Sequence, residues 1–136
     1  MEITDQGMKN LLGSSKVVAM VGLSPKDDKP SNVVALYLKA HGYRVIPVNP
    51  LYEEILGEKS YKSLSDIPDQ VDIVDIFMRA EKVEPVVAEA ITIKPRAIWL
   101  QLGIVNNEAR ELAERNGIDF VQDHCIKIEH ARLLKK

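Results

Sequence analysis

Short β-branched runs set between stretches of helical periodicity predict an α/β fold, with a parallel sheet of about five strands covered by helices on both faces. Three observations carry that prediction. Apolar runs at residues 16–21, 43–48, 71–77, 97–100 and 118–121 are continuous rather than alternating, the pattern of strands buried on both sides. Apolar residues in the intervening segments recur at i, i+3 and i+4, the spacing of one helix face. The chain has 136 residues, 46% hydrophobic and 28% charged, which is enough for one well-packed domain spanning 1–136 and too little for two.

The elements follow in order. Residues 2–12 read as a short helix within an amino-terminal extension (1–15). After the first strand, Val34, Tyr37, Leu38 and His41 fall at i, i+3, i+4 and i+7, with Ser31 as N-cap and Gly42 as the stop. Val83, Val86, Val87, Ala90 and Ile91 repeat the pattern, and Pro85 confines that helix's start to its own vicinity, because proline fits only a first turn. Ala109, Leu112 and Ala113 mark a third helix, capped by Asn106 and ended by Gly117, while Ile126, His130, Leu133 and Leu134 mark a last one. Strands and helices in strict alternation imply right-handed crossovers and a doubly wound, Rossmann-like sheet. In such sheets ligands bind beyond the carboxyl ends of the strands, near the switch point.

Composition excludes several classes. Lys and Arg number 18 against 20 Asp and Glu, a formal charge of -2, so no bulk electrostatic attraction to nucleic acid is expected. The longest apolar run, Val17–Val21, is far below the ~20 residues that span a bilayer, and no membrane partner is expected. The acidic start Met1-Glu2-Ile3-Thr4-Asp5 has no secretory h-region, and the single cysteine, Cys125, allows neither an internal disulfide nor a multi-cysteine metal site. A cytoplasmic location is expected.

The first strand runs into Gly22-Leu23-Ser24-Pro25-Lys26-Asp27-Asp28-Lys29-Pro30-Ser31. A glycine there permits a sharp turn, and the helix beyond presents free N–H groups and a positive dipole end that suit a phosphate. Ser24 and Ser31 add hydroxyls and Lys26 and Lys29 add charge. Against this, Ser24 and Asp27 occupy the second and third glycine positions of the dinucleotide fingerprint. The turn therefore reads either as an anion site or as the plain end of a strand with solvated lysines. After the second strand, Val48-Asn49-Pro50 stands where nicotinamide-binding domains carry an acidic residue for the ribose, which tells against NAD.

Five segments together carry a family resemblance: residues 18–24 (Val-Ala-Met-Val-Gly-Leu-Ser), 42–50 (Gly-Tyr-Arg-Val-Ile-Pro-Val-Asn-Pro), 71–77 (Val-Asp-Ile-Val-Asp-Ile-Phe), 99–103 (Trp-Leu-Gln-Leu-Gly) and 123–125 (Asp-His-Cys). The chain resembles the small stand-alone coenzyme A-binding proteins, relatives of the amino-terminal domain of the succinyl-CoA synthetase alpha subunit. The resemblance implies coenzyme A as the ligand. Carried over, Gly22, Leu23, Ser24, Lys29, Pro30 and Ser31 hold the pyrophosphate, and Val48, Asn49 and Pro50 border the adenosine. Phe77, Met78 and Arg79 contact the nucleotide, and Gln101 and Gly103 lie nearer the pantetheine arm. Two departures stand out. His124 replaces an arginine that many relatives carry before the cysteine, and Leu51 stands where the synthetase domain offers a lysine to a phosphate, leaving Arg79 as the candidate partner of the 3′-phosphate.

Other residues read more plainly. Phe77 divides between core and ligand, and Trp99 is a packing residue. Asp72 and Asp75 flank a strand, where a carboxylate at the strand end can accept backbone bonds. Cys125 precedes a helix and is either a buried structural thiol or, facing the crevice, a partner for the coenzyme's thiol in a mixed disulfide. His41 sits at a helix end, and His124 and His130 lack a third metal ligand. No catalytic spacing is evident. The expected function is binding of coenzyme A or an acyl-CoA, with two alternatives: a component of an acyl-CoA ligase, whose missing parts a separate chain would supply, or an NAD(P)-dependent oxidoreductase.

Overall fold

The computed structural model describes residues 3–134. Helix α1 (Asp5–Ser14) leads into β1 (Val17–Val21), α2 (Pro30–Ala40) and β2 (Arg44–Val48). A hairpin of β3 (Glu54–Ile55) and β4 (Glu58–Lys59) and a 3-10 turn (Leu64–Asp66) follow. The chain then runs through β5 (Ile73–Ile76), a second 3-10 turn (Ala80–Lys82), α3 (Val83–Thr92), β6 (Ala97–Leu100), α4 (Asn107–Arg115), β7 (Asp119–Val121) and α5 (Ile126–Leu133). Glu2, part of the expected first helix, lies outside the described residues.

The five longer strands form one parallel sheet in the order β2-β1-β5-β6-β7. The chain steps outward from β1 to β2 and then returns past β1 to β5, so the order reverses between β1 and β5; that is the switch point. Successive side chains point to opposite faces. Ala19, Val21, Val74, Ile76, Ile98 and Leu100 pack under α3 and α4. Val18, Met20, Ile73 and Trp99 pack under α1, α2 and α5 with Met8, Leu12, Val34, Leu38 and Ile126. Full burial of each such side chain contributes about 1.5–3 kcal/mol, which is why both faces of the strands had to be apolar.

Three expectations are corrected. Alternation is not strict, because β2 and β5 are joined by the hairpin and a 3-10 turn with no α-helix between them. Ser31 is not the N-cap of α2: Lys29 is, without a side-chain cap, and Pro30 takes the first helical position, where its missing N–H costs nothing. Asp75 does not flank its strand but lies inside β5, fully buried. Elsewhere the local signals hold. Asn106 caps α4 by accepting from Ala109 N at 3.0 Å, and Pro85 is the third residue of α3. Trp99 is fully buried, its indole N–H donating to the His124 carbonyl at 2.7 Å. Asp72 accepts from Lys16 N and Val17 N, the strand-end role expected of a carboxylate there.

Candidate functional site

At the carboxyl ends of the strands the switch point is a saddle made by Gly22 and the Phe77–Met78 backbone. Gly22 has φ +85°, and a Cβ there would lie 2.4 Å from the Phe77 carbonyl oxygen. Only glycine lets β1 and β5 finish side by side, so the close approach it serves is first of all to its own chain. Gly22 N also donates to Val48 O at 3.0 Å, which ties the end of the edge strand β2 to the β1–β5 saddle.

A cleft opens on each side of the saddle. The smaller, about 260 Å³, is lined by Val21, Gly22, Val48, Asn49, Pro50 and Met78, and closed by Lys62, Ser63 and Leu64 and by Val86 and Glu89 of α3. The larger, about 730 Å³, runs between the starts of α2 and α5, lined by Pro30, Val34, Phe77, Met78, Arg79, Gln101, Leu102, Ile104, Cys125 and Ile128. Met78 belongs to both. The walls are mainly apolar with a few placed polar groups, the usual make-up of a cofactor site.

The loop between the clefts is tied down by side chains. Ser31 Oγ accepts from Ser24 N at 3.0 Å, Ser24 Oγ accepts from Lys26 N at 3.1 Å, and Asn32 Nδ2 donates to Ser24 O at 3.0 Å. Each serine still has its own hydroxyl proton to donate. No side chain caps α2, so its positive dipole end is open toward the saddle. Asn49 braces the neighbouring loop: its Nδ2 donates to Leu23 O and its Oδ1 accepts from Leu51 N, both at 3.0 Å.

Under the larger cleft lies a buried polar chain. Gln101 Nε2 donates to Asp75 Oδ1 at 2.7 Å, and Gln101 Oε1 accepts from Ile126 N at 3.1 Å, fixing the start of α5 beside Cys125. Asp75 Oδ2 is buried with no hydrogen-bond partner among the described residues. Burial pushes the Asp75 carboxyl well above the usual range, and the Gln101 bond only partly opposes this. On the outer side, His124 Nδ1 stands 3.3 Å from Glu129 Oε2, and Arg132 joins Glu129 to Asp5 of α1.

The residues expected at the site divide accordingly. Gly22, Val48, Asn49, Pro50 and Met78 line the smaller cleft, and Pro30, Phe77, Met78, Arg79, Gln101 and Cys125 the larger. Leu23 is fully buried in the core and offers a ligand only its backbone. Ser24, Lys29 and Ser31 lie on the loop and helix start between the clefts, and Gly103 forms an exposed turn whose N–H donates to Asp123 Oδ1 at 2.8 Å. Lys62, Leu64, Val86, Glu89, Leu102 and Ile128 were not anticipated. Leu102 lies inside the 99–103 segment and Val86 in the apolar spacing of α3, whereas the others have no motif of their own.

A family model described as a CoA binding domain matches residues 16–131. The chain belongs to the CoA-binding domain family. This CoA-binding domain is 39% identical over 124 residues to the uncharacterized protein YneT of Bacillus subtilis (strain 168), covering 91% of this chain and 92% of that one. It is 35% identical over 123 residues to the ADP-forming acetate–CoA ligase I of Archaeoglobus fulgidus, covering 82% of this chain but only 18% of the ligase. Among solved structures it is similar to a hypothetical protein from Pyrococcus horikoshii OT3, at 41% identity and a TM-score of 0.94 over 97% of this chain and 93% of that one. A dinucleotide-forming acetyl-coenzyme A synthetase from Ca. Korarchaeum cryptofilum, solved with phosphate and ADP, aligns at 26% identity and a TM-score of 0.69 over 79% of this chain and 26% of that one. Among the described residues no helix is long and apolar enough to cross a membrane.

Proposed function

We propose that this chain binds coenzyme A or an acyl-CoA thioester across the saddle, in the cytoplasm, and carries out no chemical step of its own. One observation supports this reading above the others: in a CoA-binding domain, two clefts meet at Met78 on either side of the Gly22 turn, a shape suited to a long ligand with a flat head, a charged middle and a flexible arm. Adenosine occupies the smaller cleft against Val48, Asn49 and Pro50. The diphosphate lies over Gly22, Leu23, Ser24, Lys29, Pro30 and Ser31, where two serine hydroxyls accompany the uncapped α2 terminus. Phe77, Met78 and Arg79 flank the crossing. The pantetheine arm enters the larger cleft toward Gln101, Gly103 and Cys125.

Calorimetric titration with coenzyme A, acetyl-CoA and NAD tests the reading. One-to-one binding of the first two and none of NAD is expected. Saturable binding of NAD with no response to either coenzyme A or acetyl-CoA would overturn it. A second reading, a ligase component, rests on the alignment with the Archaeoglobus ligase over 18% of that enzyme's length. Co-purification with a larger chain and acyl-CoA-dependent nucleotide turnover by the pair would support it; turnover absent from every such complex would remove it.

A further inference from the structure

Beside the smaller cleft, and sharing Pro50 and Lys62 with it, lies a hollow of about 580 Å³ lined by Leu51, Tyr52, Glu53, Lys59 and Ser60. We propose that this hollow, through Lys62 and Lys59, holds the phosphomonoester on the ribose of the bound nucleotide, and so sets the preference for coenzyme A over its dephospho form. The assignment rests on the placement of adenosine in the smaller cleft.

The geometry supports it at three points. First, the backbone around the lysines is fixed. Tyr61 forms a parallel bridge with Val48 at the edge of the sheet, its N–H donating to Pro47 O at 3.0 Å while its carbonyl accepts from Asn49 N at 2.9 Å. Ser60 Oγ donates to Asn49 O at 3.1 Å. Lys62, the next residue along, is thereby held beside the Asn49-Pro50 wall where the ribose sits. Second, neither lysine is paired with a carboxylate, and the only partner of the Lys59 ammonium among the described residues is an aromatic face. Among the described residues the Lys62 ammonium has no hydrogen bond or ion pair, and Lys59 Nζ rests 5.1 Å above the Tyr61 ring. The carboxylate nearest in the cleft, Glu89, is taken up by Leu64 N, Ser65 N and Ser65 Oγ, which leaves Glu53 as the one acidic residue on the hollow's wall. Third, the charge is on the correct side. Arg79 lines the other cleft, across the saddle, whereas a phosphate on the ribose must lie next to adenine. The two lysines also take over from Leu51, which is 81% exposed and has no charge to offer.

The test is calorimetry with coenzyme A and dephospho-coenzyme A on the wild type, Lys62→Ala, the double substitution Lys59→Ala/Lys62→Ala, Lys62→Arg and Arg79→Ala. Wild type is expected to favour coenzyme A by about tenfold or more, the scale of charge-assisted bonds to one phosphate. The double variant should reduce that preference to within about twofold by weakening coenzyme A alone, with Lys62→Ala between the two. Lys62→Arg and Arg79→Ala should both retain the preference. Equal weakening of both ligands in the double variant, a preference that survives it, or a preference lost in Arg79→Ala overturns the assignment while leaving coenzyme A binding in place. A wild-type protein that binds neither ligand removes the coenzyme reading and this assignment together.

Discussion

The two ends of the parallel sheet are built on different terms. Where the strands begin, polar groups are matched within the fold. Asp72 Oδ2 accepts from Lys16 N at 2.8 Å and Val17 N at 3.0 Å, the Tyr43 hydroxyl donates to the Leu12 carbonyl, Arg44 pairs with Asp69, and Arg96 reaches Ser15. Where the strands finish, bonding capacity is left over. Among the described residues helix α2 has no side-chain cap, Asn32 Oδ1 and Asp75 Oδ2 are buried without hydrogen-bond partners, and Lys62 and Arg79 have no side-chain partner. A buried polar atom without a partner costs about 1–3 kcal/mol, so the two such atoms near the strands' carboxyl ends mark an end shaped by something besides folding.

Glycine substitution should separate the ends most sharply. Gly22 and Gly42 both have positive φ, but an added Cβ at Gly22 meets the Phe77 carbonyl at 2.4 Å, whereas at Gly42 nothing lies within 4 Å. Gly22→Ala should cost about 3–5 kcal/mol in urea unfolding and Gly42→Ala only about 1–2 kcal/mol, the strain of the left-handed backbone alone. Equal costs would show that β1 and β5 can part at the saddle.

The two aspartates of the third long strand segment give the next contrast. Asp72→Ala, at the matched end, should lose about 2 kcal/mol with its two backbone bonds. Asp75→Asn should instead stabilise at neutral pH, because it removes a carboxyl whose ionisation burial opposes. The folded state raises the Asp75 carboxyl and so binds its proton more tightly than the unfolded chain does. That contribution is fully present below the unfolded value near 3.8 and is lost as pH rises toward the raised folded one. Wild-type stability should therefore fall between acid and neutral pH more steeply than that of Asp75→Asn, as read by thermal unfolding across the range. Parallel profiles would mean that Asp75 is ionised in the fold.

The smallest expected effect is at the site's own bracing. Asn49→Ala removes the bonds to Leu23 O and Leu51 N and should cost about 1–2 kcal/mol in stability. It should also weaken coenzyme A binding, since two loops that border the ligand lose their tie. Unchanged affinity would limit Asn49 to a structural role.

Much of the fold was legible because its signals are local. Each of the five long strands falls within the expected run, and Asn106, Gly42 and Gly117 punctuate helices as their types require. The β3–β4 hairpin was not legible. Its strands are two residues each, too short for a period, and its turn places Leu56 as well as Gly57 at positive φ, without the Asn-Gly signal that usually announces such a turn. Ser31 looked like a cap because caps are recognised by residue type, yet its hydroxyl oxygen is used by Ser24 N across the loop. The site shows the same divide. Gly22, the Val48-Asn49-Pro50 wall, Phe77, Met78 and Gln101 stand at strand ends that the sequence marks, whereas Lys62 enters from a segment that carries no mark, and Glu89 and Ile128 from helices whose spacing marks other positions.

The sequence by itself determined the α/β class, the places where strands end and the family, since these follow from the spacing of apolar residues and from short motifs read along the chain. The tertiary structure alone decided the strand order, the burial of Asp75 and the pairing of Lys62 with Pro50. Those depend on which segments meet across the sheet, and burial and charge are properties of neighbours in space, which a linear order of residues does not specify.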